Sequence, residues 1–284
     1  MPIVELLRID DAEPQPMPGP RADESGARPL RGVRVLDLTR VLAGPTCART
    51  LAEHGAEVLH VRSPRLPFIE PFVIDTNAGK RSCHLDLDDG ADAARLRDLV
   101  RGADVFSQSY RGGALERRGF GVAELARLRP GIIAVSMDCY GHDGPWRSRP
   151  GWEQLAQTVS GMAHEQGGTE RAEIVPAAAT DYTTGILAAT GVLRALARRA
   201  AEGGSWHVRV SLARTAMWLQ SLPRAPEGAV PSGLDHAVLR AHEIEMATAW
   251  GALRRLGPVL RMSETPPSWE LPPAPLGSHP ASWS

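Results

Sequence analysis

Val33-Arg-Val-Leu-Asp-Leu38 is the stretch that decides the fold, because it opens a regular alternation of strands and helices. This short apolar run is typical of a buried strand. A helix is predicted next, from Pro45 to Glu53, since proline suits a first helical turn. Glu57-Val-Leu-His-Val61 then predicts a second strand. Short strands separated by single helices are typical of right-handed βαβ units and a parallel sheet.

The alternation continues well beyond the middle of the chain. We predict further strands at 82–87, 104–107, 132–136 and 206–212. Helices are predicted at 88–100, 114–128, 152–162 and 181–199. The fold class is therefore α/β, with a Rossmann-like parallel sheet flanked by helices. No Gly-x-Gly-x-x-Gly and no Gly-x-x-x-x-Gly-Lys-Ser/Thr motif follows a strand, which argues against nicotinamide and nucleoside-triphosphate sites.

The composition bounds the class of protein. The 284 residues are 43% hydrophobic and 23% charged, which is ordinary for a globular chain. The formal net charge of −1 gives no global attraction to nucleic acid or to an anionic membrane, so neither partner is expected. There is no secretory signal pattern at the start and no long apolar run for a membrane span.

The three cysteines are an odd number and lie far apart in the sequence, at Cys47, Cys83 and Cys139. They show no spacing typical of a zinc site, so no metal site is predicted. Reduced thiols are typical of cytoplasmic proteins, and we expect a cytoplasmic location.

Both ends of the chain are rich in proline and glycine. Residues 1–29 are predicted to form a disordered lead-in and residues 30–222 the main domain. Residues 223–248 are predicted to be a linker, with one helix over 234–249. The segment 249–284 is expected to pack on the main domain, and its Pro-rich stretch from Ser263 to lie extended over the surface.

Asp181 is the most informative single residue, because it follows Ala177-Ala-Ala-Thr180 at the start of the longest predicted helix. Free backbone N–H groups and the positive end of the helix dipole are expected to keep this carboxylate ionised. An ionised carboxylate is a nucleophile that can attack an activated acyl group. An aspartate at this place is equally typical of an ordinary helix cap, and the residues alone leave both interpretations open.

Four other features have a functional and a plain structural interpretation. Glu153 is either a second carboxylate of a site or a solvated residue of a first helical turn. The turn Arg40-Val-Leu-Ala-Gly-Pro45 ends the first strand, where backbone N–H groups can meet an anion. The segments 79–82 and 111–118 place cations near two other strand ends, as phosphate ligands or as exposed basic residues.

Taken together, these segments resemble the class III CoA-transferases, a family that includes formyl-CoA transferase and α-methylacyl-CoA racemase. The resemblance covers residues 30 to about 219 and then about 249 to 277. The matching segments, in order, are 30–45, 55–58, 79–82, 85–87, 103–105, 113–117, 141–145, 151–157, 160–161, 181–185, 260–266 and 274–277.

The resemblance implies both a fold and a reaction. It implies a Rossmann-like large domain with a smaller domain, and a homodimer of interlocked subunits. It places Asp181 at the position of the aspartate that attacks the acyl-CoA thioester, and a carboxylic acid then accepts the CoA. Coenzyme A and acyl-CoA are then substrates, and no permanently bound cofactor is expected.

The resemblance also places the substrate. Glu153 matches a carboxylate beside the thioester. The positions expected to contact CoA are Arg40, Leu42, Ala43, Arg65, Leu85, Leu87, Ser109, Tyr110, Arg111 and Arg117.

Three departures from the family pattern bear on activity. Leu42 replaces a glutamine near the thioester. Trp152 stands in place of the racemase's catalytic histidine, which favours a transferase over a racemase because one proton carrier is lost. Residues 223–248 stand where the family has its smaller domain, and they are too few to form it. A non-catalytic or impaired CoA-binding protein is therefore an alternative interpretation.

Overall fold

A seven-stranded sheet forms the centre of the protein in a computed structural model, which describes residues 1–18, 28–224, 226, 233 and 235–284. The strands are β1 (Glu5–Arg8), β2 (Arg34–Asp37), β3 (Glu57–Arg62), β4 (Lys80–His84), β5 (Val105–Gln108), β6 (Ile133–Asp138) and β7 (Trp206–Ser211). They lie in the order β1-β7-β6-β5-β2-β3-β4, and only β1 runs antiparallel to its neighbour. The predicted Rossmann-like α/β sheet is confirmed.

Helices cover both faces of this sheet. They are α1 (Ala43–Glu53), α2 (Glu70–Thr76), α3 (Gly90–Arg101), α4 (Val122–Leu128), α5 (Glu153–Val159), α6 (Met162–Gly167), α7 (Ala179–Glu202) and α8 (Leu212–Gln220). Side chains of β2 alternate between the faces, so that Val35 packs with α1 and α7 while Leu36 packs with α3 and α4. The apolar core is therefore split into two layers by the sheet.

The strand order reverses between β2 and β5, which are neighbours in the sheet although β3 and β4 lie between them in the chain. In open α/β sheets, ligands bind beyond the carboxyl ends of the strands at such a reversal. The loops that follow β2 and β5 are therefore the first place to look for a site.

Several predicted elements differ from the observed ones. The helix predicted over 114–128 is broken, because Gly119 takes a left-handed φ of 80° between a 3₁₀ turn at Glu116–Arg118 and α4. The helix predicted over 152–162 ends at Val159, and α6 follows it. The strand predicted over 82–87 spans Lys80–His84 instead. The helices α2 and α8 were not predicted.

The two ends of the chain also differ from prediction. The disordered lead-in is wrong for β1, because Glu5–Arg8 pairs with β7 at the edge of the sheet. Residues 19–27 of that segment lie outside the described residues. The helix predicted over 234–249 is wrong, since a short helix α9 (His236–Arg240) leads into β8 (Glu243–Thr248), which pairs with β9 (Gly251–Leu256). Of the predicted linker, residues 225, 227–232 and 234 lie outside the described part.

The C-terminal tail returns to the main domain, as predicted. The Trp269 indole N–H donates to Arg49 O at 3.2 Å, and Gly79 N donates to Leu271 O at 2.8 Å. Further along, His279 N donates to Ser82 O at 2.8 Å. The tail thus runs along α1 and β4 and covers that edge of the sheet.

Candidate active site

A buried ion pair supports the loop between β2 and α1. Lys80 Nζ lies 2.8 Å from Asp37 Oδ2 and donates to Pro45 O, also at 2.8 Å. Asp37 Oδ1 in turn accepts the Thr39 N–H at 3.0 Å. Both charged side chains are completely buried. The prediction that the 79–82 segment can hold a phosphate is therefore wrong for Lys80, whose charge is used inside the fold.

The loop itself contains a strained residue. Val41 has a φ of +69°, and it is the one non-glycine residue with a positive φ in the described part of the chain. A β-branched residue rarely adopts this conformation, and such strain is concentrated at functional sites. Gly44 has no room for a side chain, because a Cβ there would lie 2.2 Å from Thr39 Cβ. The turn predicted to meet an anion is thus held in one specific shape.

Helix α7 approaches this loop closely and brings Asp181 with it. A Cβ at Gly185 would lie 2.4 Å from Ala43 O, so only glycine permits this contact. Asp181 precedes Gly185 by four residues and therefore lies on the same face of the helix. The Asp181 side chain is 5% exposed. The loop after β2 and the predicted nucleophile are therefore neighbours.

Glu153 caps the start of α7 from a different helix. Its carboxylate accepts the Asp181 N–H at 2.6 Å and the Thr180 N–H at 3.2 Å, and it also accepts the Thr180 hydroxyl. Gln157 Nε2 donates to it at 2.6 Å. The interpretation of Glu153 as a solvated residue is wrong, because the side chain is buried. The free N–H groups expected to stabilise the Asp181 carboxylate are instead used by Glu153.

The environment of Asp181 raises its pKa. Burial is the main cause, the negative charge of Glu153 adds to it, and the pKa rises from 3.8 to about 7. The expectation that the helix terminus keeps this carboxyl fully ionised is therefore wrong in direction. Asp181 titrates near neutral pH instead, which is typical of carboxyl groups in active sites.

A cavity of about 460 Å³ lies at the carboxyl ends of β5 and β6. Ser109, Tyr110 and Arg111 line it on one side, and Cys139 and Gly151 line it on another. The pKa of the Cys139 thiol is raised to about 12, mainly by burial and in addition by the negative charges of Asp138, Asp181 and Glu153. This end of the cavity therefore adjoins the two carboxyl groups.

The remaining predicted contact residues are spread over a wider surface. Arg117 is exposed beside the glycines that follow Arg111. Arg65 lies in a separate groove and forms ion pairs with Asp86 and Asp88. Leu85 is buried in the apolar core and Leu87 packs against that core. The contacts of these four residues with CoA stay predictions.

Two residues near the site were not predicted. Asp75 Oδ2 accepts the Tyr182 hydroxyl at 2.9 Å, while Asp75 Oδ1 binds Arg49 at 2.8 Å and Arg255 at 3.1 Å. This network links α1, α2, β9 and the residue directly after Asp181. Arg62, the last residue of β3, is buried beside Arg40. An aspartate inside a short helix and an arginine ending a strand carry no signal in the sequence.

Removing the charge of Glu153 is expected to weaken the start of α7. The variant Glu153→Gln replaces an acceptor oxygen by an NH₂ group that faces backbone donors. We expect the free energy of unfolding to fall by about 1–3 kcal/mol, and the pKa of Asp181 to fall because a neighbouring charge is lost. Urea unfolding measures the first effect. The matched variant Glu124→Gln, in the first turn of α4, is expected to lose less than about 0.5 kcal/mol, and equal losses would contradict the capping role.

The raised pKa of Asp181 predicts how stability depends on pH. Between pH 3.8 and about 7 the native protein holds a proton that the unfolded chain releases, so this contribution to stability is lost as the pH rises. Asp181→Asn removes the titration. We expect the variant to be more stable than the wild type by about 2–4 kcal/mol at pH 8, and nearly equal at pH 4. Urea unfolding at both pH values tests this, with Asp98→Asn on the exposed face of α3 as control. A difference that is independent of pH would contradict it.

The comparisons with known proteins agree with this geometry. A family model described as CoA-transferase family III matches residues 30–227. The chain belongs to CoA-transferase family III. It is 44% identical over 207 residues to the acetyl-coenzyme A transferase nodX of Hypoxylon pulicicidum, which covers 70% of this chain and 35% of nodX. It is 32% identical to the succinyl-CoA:glutarate CoA-transferase of Mus musculus, over 65% of this chain and 45% of that protein.

Solved structures show the same fold. The crystal structure of Rv3272 from Mycobacterium tuberculosis matches with a TM-score of 0.64 and 31% identity, over 69% of this chain and 58% of that one. A CAIB/BAIF family protein from Brucella suis matches with a TM-score of 0.63 and 26% identity, over 80% of this chain and 65% of that one. The chain spans less than half the length of the two curated CoA-transferases named above.

The described residues hold neither a candidate membrane span nor a candidate metal site. None of the helices in this part of the chain has the length and apolar character to cross a bilayer. Nor does this part bring together three side chains of the types that bind metal ions.

Proposed function

We propose that this protein moves CoA from an acyl-CoA thioester to a carboxylic acid, with Asp181 as the nucleophile. Membership of CoA-transferase family III supports CoA transfer in general. The observation that supports Asp181 in particular is its position. It is a buried carboxyl with a pKa of about 7, next to the strained loop after β2 and to the end of a cavity.

The proposed reaction proceeds in balanced exchanges at this carboxyl group. The Asp181 carboxylate attacks the thioester carbonyl and the C–S bond breaks. The CoA thiolate is released, and the acyl group stays on Asp181 as a mixed anhydride. The thiolate then attacks the aspartyl carbonyl and releases the acyl group as a free acid, which leaves an aspartyl-CoA thioester. The acceptor carboxylate then attacks the aspartyl-CoA thioester, and the same two exchanges run in reverse. They give the acceptor's CoA thioester and the free Asp181 carboxylate. Covalent catalysis divides one difficult exchange into easier ones.

The proposed path of CoA follows the loops at the carboxyl ends of the strands. The nucleotide end would lie in the cavity beside Ser109, Tyr110 and Arg111, with Arg117 next to Gly113 of its lining. The pantetheine arm would pass the turn at Leu42 and Ala43, which touches α7 one helical turn from Asp181. Arg65 would meet the CoA at the outer surface.

The proposal is tested by following CoA between two acids. The full chain is incubated with acetyl-CoA or succinyl-CoA and an isotopically labelled carboxylic acid, and mass spectrometry follows the thioesters. We expect CoA on the labelled acid. Release of free CoA without any labelled thioester would contradict transfer. Deuterium exchange at the α-carbon of a branched acyl-CoA, without transfer, would identify a racemase instead.

A homodimer is part of the proposal. Ile186 and Leu193 lie on one face of α7 and are 46% and 39% exposed, which leaves an apolar stripe for a second copy. We expect light scattering to give twice the chain mass of 30.6 kDa, and Ile186→Arg to lower it. A wild-type monomer at micromolar concentration would contradict this.

A cytoplasmic location stays a prediction, in line with three free and buried cysteines.

A further inference from the structure

The hairpin formed by β8 and β9 holds both ends of helix α2. Trp250, at the turn of the hairpin, donates its indole N–H to Glu70 Oε1 at 3.0 Å. Arg255 on β9 binds Asp75 near the other end of α2, with Nη1 donating to the backbone O at 2.8 Å and Nη2 to Oδ1 at 3.1 Å. These paired bonds fix the Asp75 carboxylate in one orientation.

Arg255 lies on the inner face of the hairpin. Side chains alternate along β9, so that the Arg255 side chain is 10% exposed and the neighbouring Arg254 side chain is 63% exposed. The Arg255 guanidinium also lies over Trp269 of the C-terminal tail, 4.5 Å from the ring centroid. The hairpin and the tail together hold this guanidinium against Asp75.

Asp75 connects the hairpin to the first turn of α7. Its second carboxylate oxygen, Oδ2, accepts the hydroxyl of Tyr182 at 2.9 Å, while Arg49 of α1 donates to Oδ1 at 2.8 Å. The Arg49 guanidinium also lies 6.0 Å from the centroid of the Tyr182 ring. Tyr182 is therefore held by groups from two helices, and the position of Asp75 depends in turn on Arg255.

Tyr182 adjoins the proposed nucleophile directly, because it follows Asp181 in the chain. Burial, the charge of Asp75 and, to a smaller extent, the charge of Asp181 raise the pKa of the Tyr182 hydroxyl to about 12. The two side chains thus share one electrostatic environment. Ala178, at the N-cap of α7, has no side chain that could cap the helix. The turn is instead fixed from outside, by Glu153 on the Asp181 N–H and by Asp75 on Tyr182.

We infer that Arg255, Asp75 and Tyr182 are positioning residues, through which the β8–β9 hairpin holds the Asp181 carboxyl in place for its attack. The inference rests on the proposed function and adds these positioning residues to its site. A displacement of about 1 Å at a reacting group can cost about a hundredfold in rate, so contacts that fix the first turn of α7 bear directly on transfer.

The test measures CoA transfer by full-length variants, with acetyl-CoA or succinyl-CoA as donor and a labelled carboxylic acid as acceptor. Tyr182→Phe keeps the ring and removes the bonded hydroxyl. We expect its kcat to fall about tenfold or more and its KM for the acyl-CoA to stay within about twofold of the wild type. Arg255→Met is expected to lower kcat as well, and the double variant to lose no more than Tyr182→Phe alone, because both act through one contact. Arg254→Met, on the outer face of the same strand, is the control and is expected to keep the wild-type rate.

The pKa of Asp181 provides a second readout, which needs no turnover. Glu153 is the charged group that faces this carboxyl, and Cys139 and Tyr182 are its neutral titratable neighbours. Because burial is the main cause of the raised pKa, a loosened first turn is expected to lower it from about 7 to about 6 in Tyr182→Phe. The pH dependence of urea unfolding measures this, with each protein compared with its Asp181→Asn form.

A wild-type kcat or a wild-type pKa of Asp181 in the Tyr182→Phe protein would overturn the inference, even if that protein unfolds at lower urea. A raised KM with an unchanged kcat would assign the contact to CoA binding, and additive losses in the double variant would show that Arg255 acts independently of Tyr182. Either result would also overturn it. If Arg255→Met does not fold, Arg255→Lys provides the same comparison. A wild type that transfers no CoA would contradict the proposed function, and the pKa of Asp181 would then still test the contact.

Discussion

Replacing Asp181 by alanine is expected to lower the kcat of CoA transfer at least about a thousandfold, because the covalent route loses its nucleophile. The reason is structural as well as chemical. Asp181 is the carboxyl group that lies beside both the loop after β2 and the end of the cavity, and Glu153 is fully engaged in capping α7. Glu153, whose oxygens accept the Asp181 and Thr180 N–H groups, is therefore not free to replace it.

The control for this variant is Asp98→Asn, which removes an exposed carboxylate on α3. It is expected to keep the wild-type rate. The rate of the wild type is expected to rise with pH up to about 7, as Asp181 loses its proton. A fully active Asp181→Ala protein would contradict the proposed reaction.

Lys80→Met is expected to give the largest loss of stability. The substitution leaves the Asp37 carboxylate buried without its ammonium partner, and Pro45 O loses its donor. Burial acts to raise the pKa of Asp37, but the charges of Lys80 and His60 and the hydrogen bonds from Lys80 and Thr39 together hold the pKa below its ordinary value. We expect the free energy of unfolding at pH 7 to fall by about 3–5 kcal/mol, measured by urea unfolding.

Two matched variants separate this effect from a general loss of charge. Arg101→Met breaks the exposed pair with Asp98 and is expected to cost less than about 1 kcal/mol. The double variant Asp37→Asn with Lys80→Met removes both charges and is expected to recover part of the stability. If Lys80→Met costs no more than Arg101→Met, the pair does not support the loop.

The parallel sheet was predictable because its strands are buried on both faces. Val35 and Leu36 both enter apolar cores, so the strand is a continuous apolar run that sequence patterns reveal. The broken helix at Gly119 and the edge strand β1 were not predictable in this way. A single glycine is tolerated in many helices, and the pairing of Glu5–Arg8 depends on a strand two hundred residues away.

The candidate site was predictable only in part. Asp181 was identified, but the direction of its pKa shift depends on its burial and on Glu153, which lies 28 residues earlier in the chain and is brought close by folding. For Lys80 the sequence left two interpretations open, a phosphate ligand or an exposed basic residue, because it does not show that Lys80 pairs with Asp37, 43 residues away. Arg62 was missed for the same reason, since its burial beside Arg40 is visible only in three dimensions.

The most direct test of the central proposal is to trap the covalent intermediate on Asp181. Hydroxylamine is added during turnover of an acyl-CoA, and peptide mass spectrometry then locates the modified carboxyl group. The account predicts a hydroxamate at Asp181 that forms only when the acyl-CoA is present. Continued CoA transfer with Asp181 unmodified, or with the label on another carboxyl group, would contradict it.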